Sequence, residues 1–288
     1  MTETARTLLT GKFCVVTGAT SGIGEVTARE LMRKGAKVLI VGRDRARCES
    51  TIARFRTAGA GDVAYAVTNL SLLEEVRELA RSIQQEYPPV NVLVNNAGAI
   101  HAKRETTSEG NERTLALNVL SPFLLTRLLE PDLRSGAPSR VVMVDSEAHR
   151  SAHLDLDDLD TSHHYRAFRA YNRSKLALLL LTYELAQRWN GIDIRVNAVH
   201  PGFVRSGFGK NNPGFFGEAL AFAELIAGVS PERGARTVVF AASDPALEGI
   251  SGKYLAHRHE VRSSRASYDT TVAGRLWALA SARTGLPP

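Results

Sequence analysis

Apolar positions along the chain follow two alternating rhythms. Short, nearly continuous apolar runs begin at Lys12 (KFCVVT), Lys37 (KVLIV), Asp62 (DVAYAV), Val90 (VNVLV), Arg140 (RVVMV), Asp193 (DIRVNAV) and Lys253 (KYLA). They are rich in β-branched residues, as suits strands of a parallel sheet covered on both faces. Between them lie GEVTARELMRKG, RARCESTIARFRTA, SLLEEVRELARSIQQEY, TTSEGNERTLALNVLSPFLLTRLL and KLALLLLTYELAQRW. Their apolar residues recur three and four apart, the spacing of a helix with one buried face. Repeated β-α-β units predict an α/β fold: a doubly wound parallel sheet of about seven strands with helices on both faces.

Local punctuation supports these boundaries. Ser71 precedes Glu74 and Glu75 as a capping box, and Gly35 and Gly191 follow helices where a left-handed residue is wanted. No linker, repeat or low-complexity tract divides the chain, so one domain is expected over residues 1–288. Two stretches break the rhythm, 147–170 and 202–230.

Composition narrows the class. With 288 residues, 44% hydrophobic and 23% charged, the chain has ample apolar material for a core and is too balanced to be disordered. A net charge of +6 and the cluster Arg43, Arg45, Arg47, Arg54 and Arg56 raise nucleic acid as a partner. Acidic residues are interspersed elsewhere and no nucleic-acid module is present, so this reads as a solvated helix face with one cofactor contact. Two cysteines, one of them (Cys14) inside an apolar run, build no disulfide framework, and a reducing, cytoplasmic setting is expected. The first residues lack a signal-peptide pattern. The greasiest run, 176–181, is far below the roughly 18–20 residues of a membrane span. The histidines at 149, 153, 163, 164, 257 and 259 form no ligand pattern, and surface or packing roles without a metal are expected.

Candidate chemistry starts at Thr17. The turn TGATSGIG follows the first strand and leads straight into a helix. Glycines there let the backbone approach a pyrophosphate, which the helix N-terminus attracts. The generic G-x-G-x-x-G does not fit, and alone the turn is equally well a plain strand-to-helix connection. Further on, Tyr171 and Lys175 stand four apart, on one face of a helix. A free tyrosine ionises at about 10, and a nearby ammonium is expected to favour the phenolate, bringing the phenol toward an acid/base's working range. A bare pair at this spacing also suits an ordinary amphipathic helix.

Taken together, these motifs resemble the short-chain dehydrogenase/reductase family. TGATSGIG matches its TGxxxGxG pattern. NNAG at 95–98, Asn118 in LALNVL, Ser146 after the fifth strand, Tyr171-Asn-Arg-Ser-Lys175, and Pro201-Gly202 after the sixth strand follow in family order. The resemblance spans nearly the whole chain and implies a Rossmann-type fold binding a nicotinamide cofactor. It implies a catalytic tetrad in which Tyr171 exchanges a proton with the substrate oxygen and Lys175 bonds the nicotinamide ribose. Ser146 orients the substrate oxygen, and Asn118 holds a water linking Lys175 to solvent. Cofactor contacts are implied at Gly18, Ser21, Gly22, Ile23, Gly24, Asn69, Leu70, Asn95, Ala97, Gly98, Tyr171, Lys175, Pro201, Gly202, Val204 and Ser206.

NADP(H) is expected over NAD(H). A carboxylate at the end of the second strand commonly binds the ribose 2′-OH of NAD, but that place holds Gly42, and Asp44 suits the N-cap of the next helix. Arg43 between them pairs well with a 2′-phosphate. Two departures stand against the pattern of NADP-dependent relatives: Ser21 replaces a basic residue, and Asn69 replaces an aspartate, its amide oxygen still able to accept from the adenine amine. Beside the tetrad, Asp145 replaces the family's usual serine. It either bonds a neighbouring backbone group or sets a carboxylate near the site and alters its pH profile.

The 24 residues between Ser146 and Tyr171, with LALLLLTYELAQR, VHPGFV and GRLWALASARTG, resemble the retinol dehydrogenase-like subgroup. In the family the region after Pro201-Gly202 covers the substrate, and here it carries Phe203, Phe208, Phe215, Phe216 and Phe222. These are either a cover for a lipophilic carbonyl or alcohol, with glycines that let it move as a lid, or core. The expected function is an NADP(H)-dependent oxidoreductase acting on a ketone or aldehyde/alcohol pair. The alternative is a catalytically silent sensor or scaffold of the same fold. Relatives pair through the helices carrying Asn118 and Tyr171, which implies a homodimer or homotetramer, unless the longer insertion blocks that interface.

Overall fold

Each of the seven apolar runs is a strand. In the computed structural model, which describes residues 8–59, 61–204 and 228–288, β1 (Phe13–Thr17), β2 (Lys37–Gly42), β3 (Val63–Val67), β4 (Val92–Asn95), β5 (Ser139–Val144), β6 (Ile194–His200) and β7 (Tyr254–Ala256) lie in one sheet. Their order is β3-β2-β1-β4-β5-β6-β7, all parallel. An eighth strand, β8 (His259–Glu260), pairs antiparallel with β7 at the edge. Two exposed residues carry no periodicity, which is why the sequence did not mark it.

Alternation along the strands builds two cores. Cys14, Val16, Val38, Ile40, Val92, Val94, Val142 and Val144 point to one face, against α1 (Gly22–Arg33), α2 (Arg45–Thr57) and α7 (Pro231–Ser243). Phe13, Val15, Leu39, Val41, Leu93, Val141 and Met143 point to the other. That face carries α3 (Leu73–Glu86), a composite helix α4, α6 (Ala167–Arg188) and α8 (Thr270–Thr284). A short α5 (Glu130–Ser135) follows α4. Such burial, worth about 25 cal/mol per Å² of apolar surface, is what orders a sheet apolar on both sides.

Several local expectations are corrected. The helix read over TTSEGNERTLALNVLSPFLLTRLL begins only at Arg113, because residues 106–112 form a turn closed by a Thr106–Glu112 bridge. From there α4 runs as Arg113–Leu115, a π-turn over Ala116–Leu120, and Ser121–Leu128. Ser71 does not cap α3. Its hydroxyl donates to Asn69 Oδ1 at 2.8 Å, and the free N–H groups of Leu73 and Glu74 are taken by the Glu109 carboxylate at 2.7 and 2.9 Å. By contrast, Asp44 caps α2 as expected, accepting from Arg47 N at 3.0 Å, and Gly35 and Gly191 take φ of 93° and 85°.

The helices α7 and α8 had no counterpart among the expected elements. Ser230 caps α7 and Asp269 caps α8, whose C-terminal Gly285 is left-handed at φ 62°. α8 lies along α6. Its Trp277 is buried edge-on against Phe123 of α4 at 5.0 Å, with the Arg127 and Arg188 guanidiniums over the ring at 4.6 and 4.2 Å. Among the described residues no helix is long and apolar enough to cross a membrane.

Candidate active site

Strand order reverses direction between β1 and β4, which opens a crevice at the strands' carboxyl ends. The candidate residues follow those ends. Gly18 takes φ 64°, and a β-carbon on it would come within 2.9 Å of Ala97 Cα. One on Gly24 would come within 2.4 Å of the Gly18 carbonyl oxygen. Both positions therefore demand glycine for the turn to close against the loop after β4. Gly22 is also left-handed at φ 58°, and Ser21 stands at the N-cap of α1 with no side-chain cap bond. Its exposed hydroxyl and the first-turn N–H groups of α1 form the anion-attracting end of a helix. The residues present fit a pyrophosphate in this cradle.

What holds the cradle is Asn96, which sequence reasoning passed over in favour of Asn95. Asn96 Nδ2 donates to the carbonyls of Thr17 (2.8 Å) and Gly18 (3.2 Å), while Thr17 Oγ1 accepts from the N–H of Asn96 (2.9 Å) and Ala97 (3.0 Å). Asn95 points the other way, into the core, donating to Thr126 Oγ1 at 2.9 Å and Met143 Sδ at 3.3 Å. Its side chain is a structural group, with its amide turned into the core. Strand alternation at the end of β4 sorts the two, since successive side chains take opposite faces.

At the end of β2, Gly42 is enclosed. A β-carbon there would meet Thr20 Cγ2 at 2.6 Å and Cys48 Sγ at 2.8 Å, so a carboxylate is absent from this place and a side chain would enter it only by displacing those two. Arg43 beside it is exposed. After β3, the Asn69 side chain departs from expectation. Its Oδ1 already accepts from the N–H and the hydroxyl of Ser71, at 3.2 and 2.8 Å. Both lone pairs are spent, so what Asn69 has to offer an adenine is its Nδ2 donor, which suits a ring nitrogen and not the exocyclic amine. Leu70 next to it is buried.

The tetrad residues converge from β5, α4 and α6. Ser146 follows β5 as the N-cap of a 3₁₀ turn (Glu147–Ser151), its Oγ accepting from Ala148 N at 3.2 Å. Tyr171 and Lys175 lie one turn apart on α6, with the Lys175 ammonium 5.7 Å from the Tyr171 ring centre. Lys175 Nζ donates to the Val144 carbonyl at 2.8 Å. Asn118 sits in the π-turn of α4, 1% exposed. Its Nδ2 donates to Ala99 O (2.9 Å) and Ser174 Oγ (3.0 Å), and its Oδ1 accepts from Ala99 N (2.9 Å). With both amide hydrogens used, the side chain has none left to donate to a water. It ties the loop after β4 to Ser174, whose hydroxyl in turn donates to the Tyr171 carbonyl at 2.7 Å. Gly98 lies alongside: a β-carbon there would be 3.3 Å from Asn118 Oδ1 and 3.8 Å from Lys175 Nζ.

Electrostatically, the site differs from the simple expectation for Tyr171. Burial pushes the phenol above its ordinary value of 10, the Ser146 hydroxyl opposes this, and the Asp145 charge adds to it. Lys175 is pulled below its usual range by burial, with Asp145 favouring its charge. Thus the phenol is not brought down here: burial dominates, and the Asp145 charge adds to it.

Two further groups brace the serine. His149 is fully buried, and its imidazole accepts from Ser264 N at 3.1 Å while bonding the Ser146 carbonyl at 2.7 Å. His200, at the end of β6, accepts from Glu147 N at 3.3 Å. The sequence marked His149 only for surface or packing, because its partner Ser264 lies 115 residues away. Beyond β6, Gly202 takes φ 88° and Val204 is buried against Gly234 of α7, next to Ile23. Phe203 between them is 48% exposed. Ser206, Phe208, Phe215, Phe216 and Phe222 lie outside the described residues.

Comparison with known proteins agrees with this geometry. Residues 12–213 match the short chain dehydrogenase family. Human retinol dehydrogenase 14 is 36% identical over 300 residues, covering 97% of this chain and 88% of its own. Mouse polyprenol dehydrogenase is 38% identical over 282 residues, covering 96% and 84%. The crystal structure of an uncharacterised protein from Mycobacterium paratuberculosis superposes with a TM-score of 0.79 at 34% identity, covering 96% of this chain and 95% of that one.

Proposed function

The chain belongs to the short-chain dehydrogenase family, of retinol dehydrogenase-like type, and we propose that it moves a hydride between NADP(H) and a lipophilic ketone or aldehyde/alcohol pair. The observation that carries the reading is the meeting of Ser146, Tyr171 and Lys175 at the strand ends beside a turn that only glycine can close. When bound, the nicotinamide supplies or accepts the hydride. Tyr171 holds the proton at its phenolic oxygen, gives it to the substrate oxygen in reduction and takes it back in oxidation. Ser146, braced by His149, orients that oxygen. Lys175 lies within reach of the ring on the same helix face, and Asn118 anchors the loop beside it through Ala99 and Ser174.

Support for NADP(H) comes from β2. Gly42 puts no carboxylate at the end of the strand, its place being crowded by Thr20 and Cys48, and Arg43 offers a guanidinium for a 2′-phosphate. Support for a lipophilic substrate comes from the exposed Phe203 ring at the crevice and from the names of the two relatives, retinol and polyprenol dehydrogenase. The two buried free cysteines fit a cytoplasmic setting.

The test is a fluorescence titration with NADPH and NADH, followed by turnover on terpenoid, aromatic and fatty aldehydes and ketones. The reading predicts tighter NADPH binding and turnover that Tyr171→Phe abolishes. Binding without turnover on any substrate favours the silent sensor, and failure to bind either nucleotide overturns the reading.

A further inference from the structure

We infer that Asp145 is a buried counter-charge to Lys175 that keeps Tyr171 in its phenol form, biasing this site toward proton donation and hence carbonyl reduction. The inference rests on the assignment of Tyr171 as proton carrier.

Placement comes first. The Asp145 N–H still donates to Val199 O at 2.8 Å, so strand alternation carries through it. Its side chain therefore shares the face of Val141 and Met143, the face covered by α6. The residue is 2% exposed, and neither carboxylate oxygen has a hydrogen-bond partner among the described residues. A buried carboxylate without hydrogen bonds is strongly disfavoured unless a cation compensates it.

The groups that bear on Asp145 are Tyr171, Lys175 and Tyr183 of α6, Tyr254 of β7, and Glu147 of the 3₁₀ turn. The hydroxyls of Tyr183 and Tyr254 have other partners: Tyr254 donates to Glu147 at 3.0 Å, and Tyr183 pairs with Ser263 at 2.8 Å. Glu147 carries the same sign of charge. Lys175 supplies the compensating charge, 5% exposed and held by its bond to Val144 O, without closing a direct ion pair with Asp145.

Seen from Tyr171, the two charges offset each other. An unopposed ammonium would favour phenolate, whereas a neutralised one leaves burial to decide, and burial favours phenol. Asp145 itself is held up to about 7, chiefly by burial, against the pull of the Lys175 charge. The counter-charge is therefore present on the alkaline side, where it keeps the phenol protonated, and fades on the acid side, where Tyr171 is protonated anyway. Donation to a carbonyl needs phenol as the starting form. Oxidation of an alcohol needs phenolate, and so demands more alkaline solution.

The deciding experiment follows Tyr171 ionisation by ultraviolet difference absorbance in the full-length protein, without substrate or nucleotide. The Tyr171→Phe variant, titrated in parallel, is subtracted. In Asp145→Asn, the Tyr171 signal is expected at no more than about one tenth of the parent's hydroxide concentration, one pKa unit or more of lost charge repulsion. Asp145→Glu is expected to stay with the parent. Asp145→Ser serves as a second neutral variant, with circular dichroism confirming the fold. A Tyr171 transition that does not move in either folded neutral variant overturns the inference. Once a substrate is in hand, the alkaline limb of alcohol oxidation is expected to move down with the absorbance. Because the titration needs no turnover, it decides on Asp145 even if the oxidoreductase reading fails.

Discussion

His149 and Ser146 are joined by a 2.7 Å hydrogen bond between the imidazole Nδ1 and the serine carbonyl. Since Nε2 accepts from Ser264 N, the proton must sit on Nδ1, which donates to Ser146. Only the neutral ring does both, and burial holds this histidine below its ordinary 6.5. His149→Leu strands a buried N–H and a carbonyl, and is expected to cost about 2 kcal/mol in urea unfolding. Because the serine loses its brace, kcat is expected to fall more than KM rises. An unchanged kcat in the folded variant would remove His149 from the catalytic apparatus.

Cofactor choice is predicted to rest on two adjacent positions. Arg43→Ala is expected to weaken NADPH by on the order of tenfold, the worth of a charge-assisted hydrogen bond, and to leave NADH nearly unchanged. Gly42→Asp alone is expected to weaken both nucleotides, because its β-carbon collides with Thr20 and Cys48 before its carboxylate reaches a ribose. Calorimetric titration with each nucleotide separates these effects.

Trp277 holds α8 onto the rest of the protein. Trp277→Ala removes a buried indole, its edge contact with Phe123 and two guanidinium contacts. The expected loss is about 3–5 kcal/mol, visible as a large drop in Tm. Loosening α8 also uncovers apolar residues of α6, so light scattering is expected to show association beyond that of the parent chain.

Acid sensitivity is expected from His200, whose pKa burial lowers from 6.5 to about 4. A histidine depressed in the folded state binds its proton less tightly there than when unfolded. Its contribution is thus complete above about 6.5 and is lost as pH falls toward 4. The full effect is about 3 kcal/mol. His200→Asn is expected to flatten that part of the stability curve, measured by denaturant unfolding at stepped pH.

The strands, the glycine turn and the neighbourhood of Tyr171 and Lys175 were legible because each is written locally: a run of β-branched residues, a turn, a tyrosine and lysine one helical turn apart. Asp44 is the same kind of signal, a cap three residues from its acceptor. What the sequence hid is written across distance. Glu109 caps α3 from 36 residues away, displacing the local capping box at Ser71. Asn95 and Asn96 are identical in kind and differ only in which side of β4 they face. Asn69 lost its expected role to Ser71, two residues along. The π-turn at Asn118 keeps an ordinary helical apolar pattern, so nothing in that pattern signals it. α7 and α8 did have caps in Ser230 and Asp269; the weakly contrasted apolar face of α8 was easy to pass over, whereas α7 is as amphipathic as α1 and was there to be read.

The tie from Ser264 through His149 to Ser146 bears on how the protein comes into being. A chain emerging from the ribosome has its glycine turn, its tyrosine and its lysine long before Ser264 appears. Such a chain can begin to assemble the nucleotide half while the serine is still unbraced. Competence for turnover then arrives late, as the segment around Ser264 and the helix bearing Trp277 settle against α6.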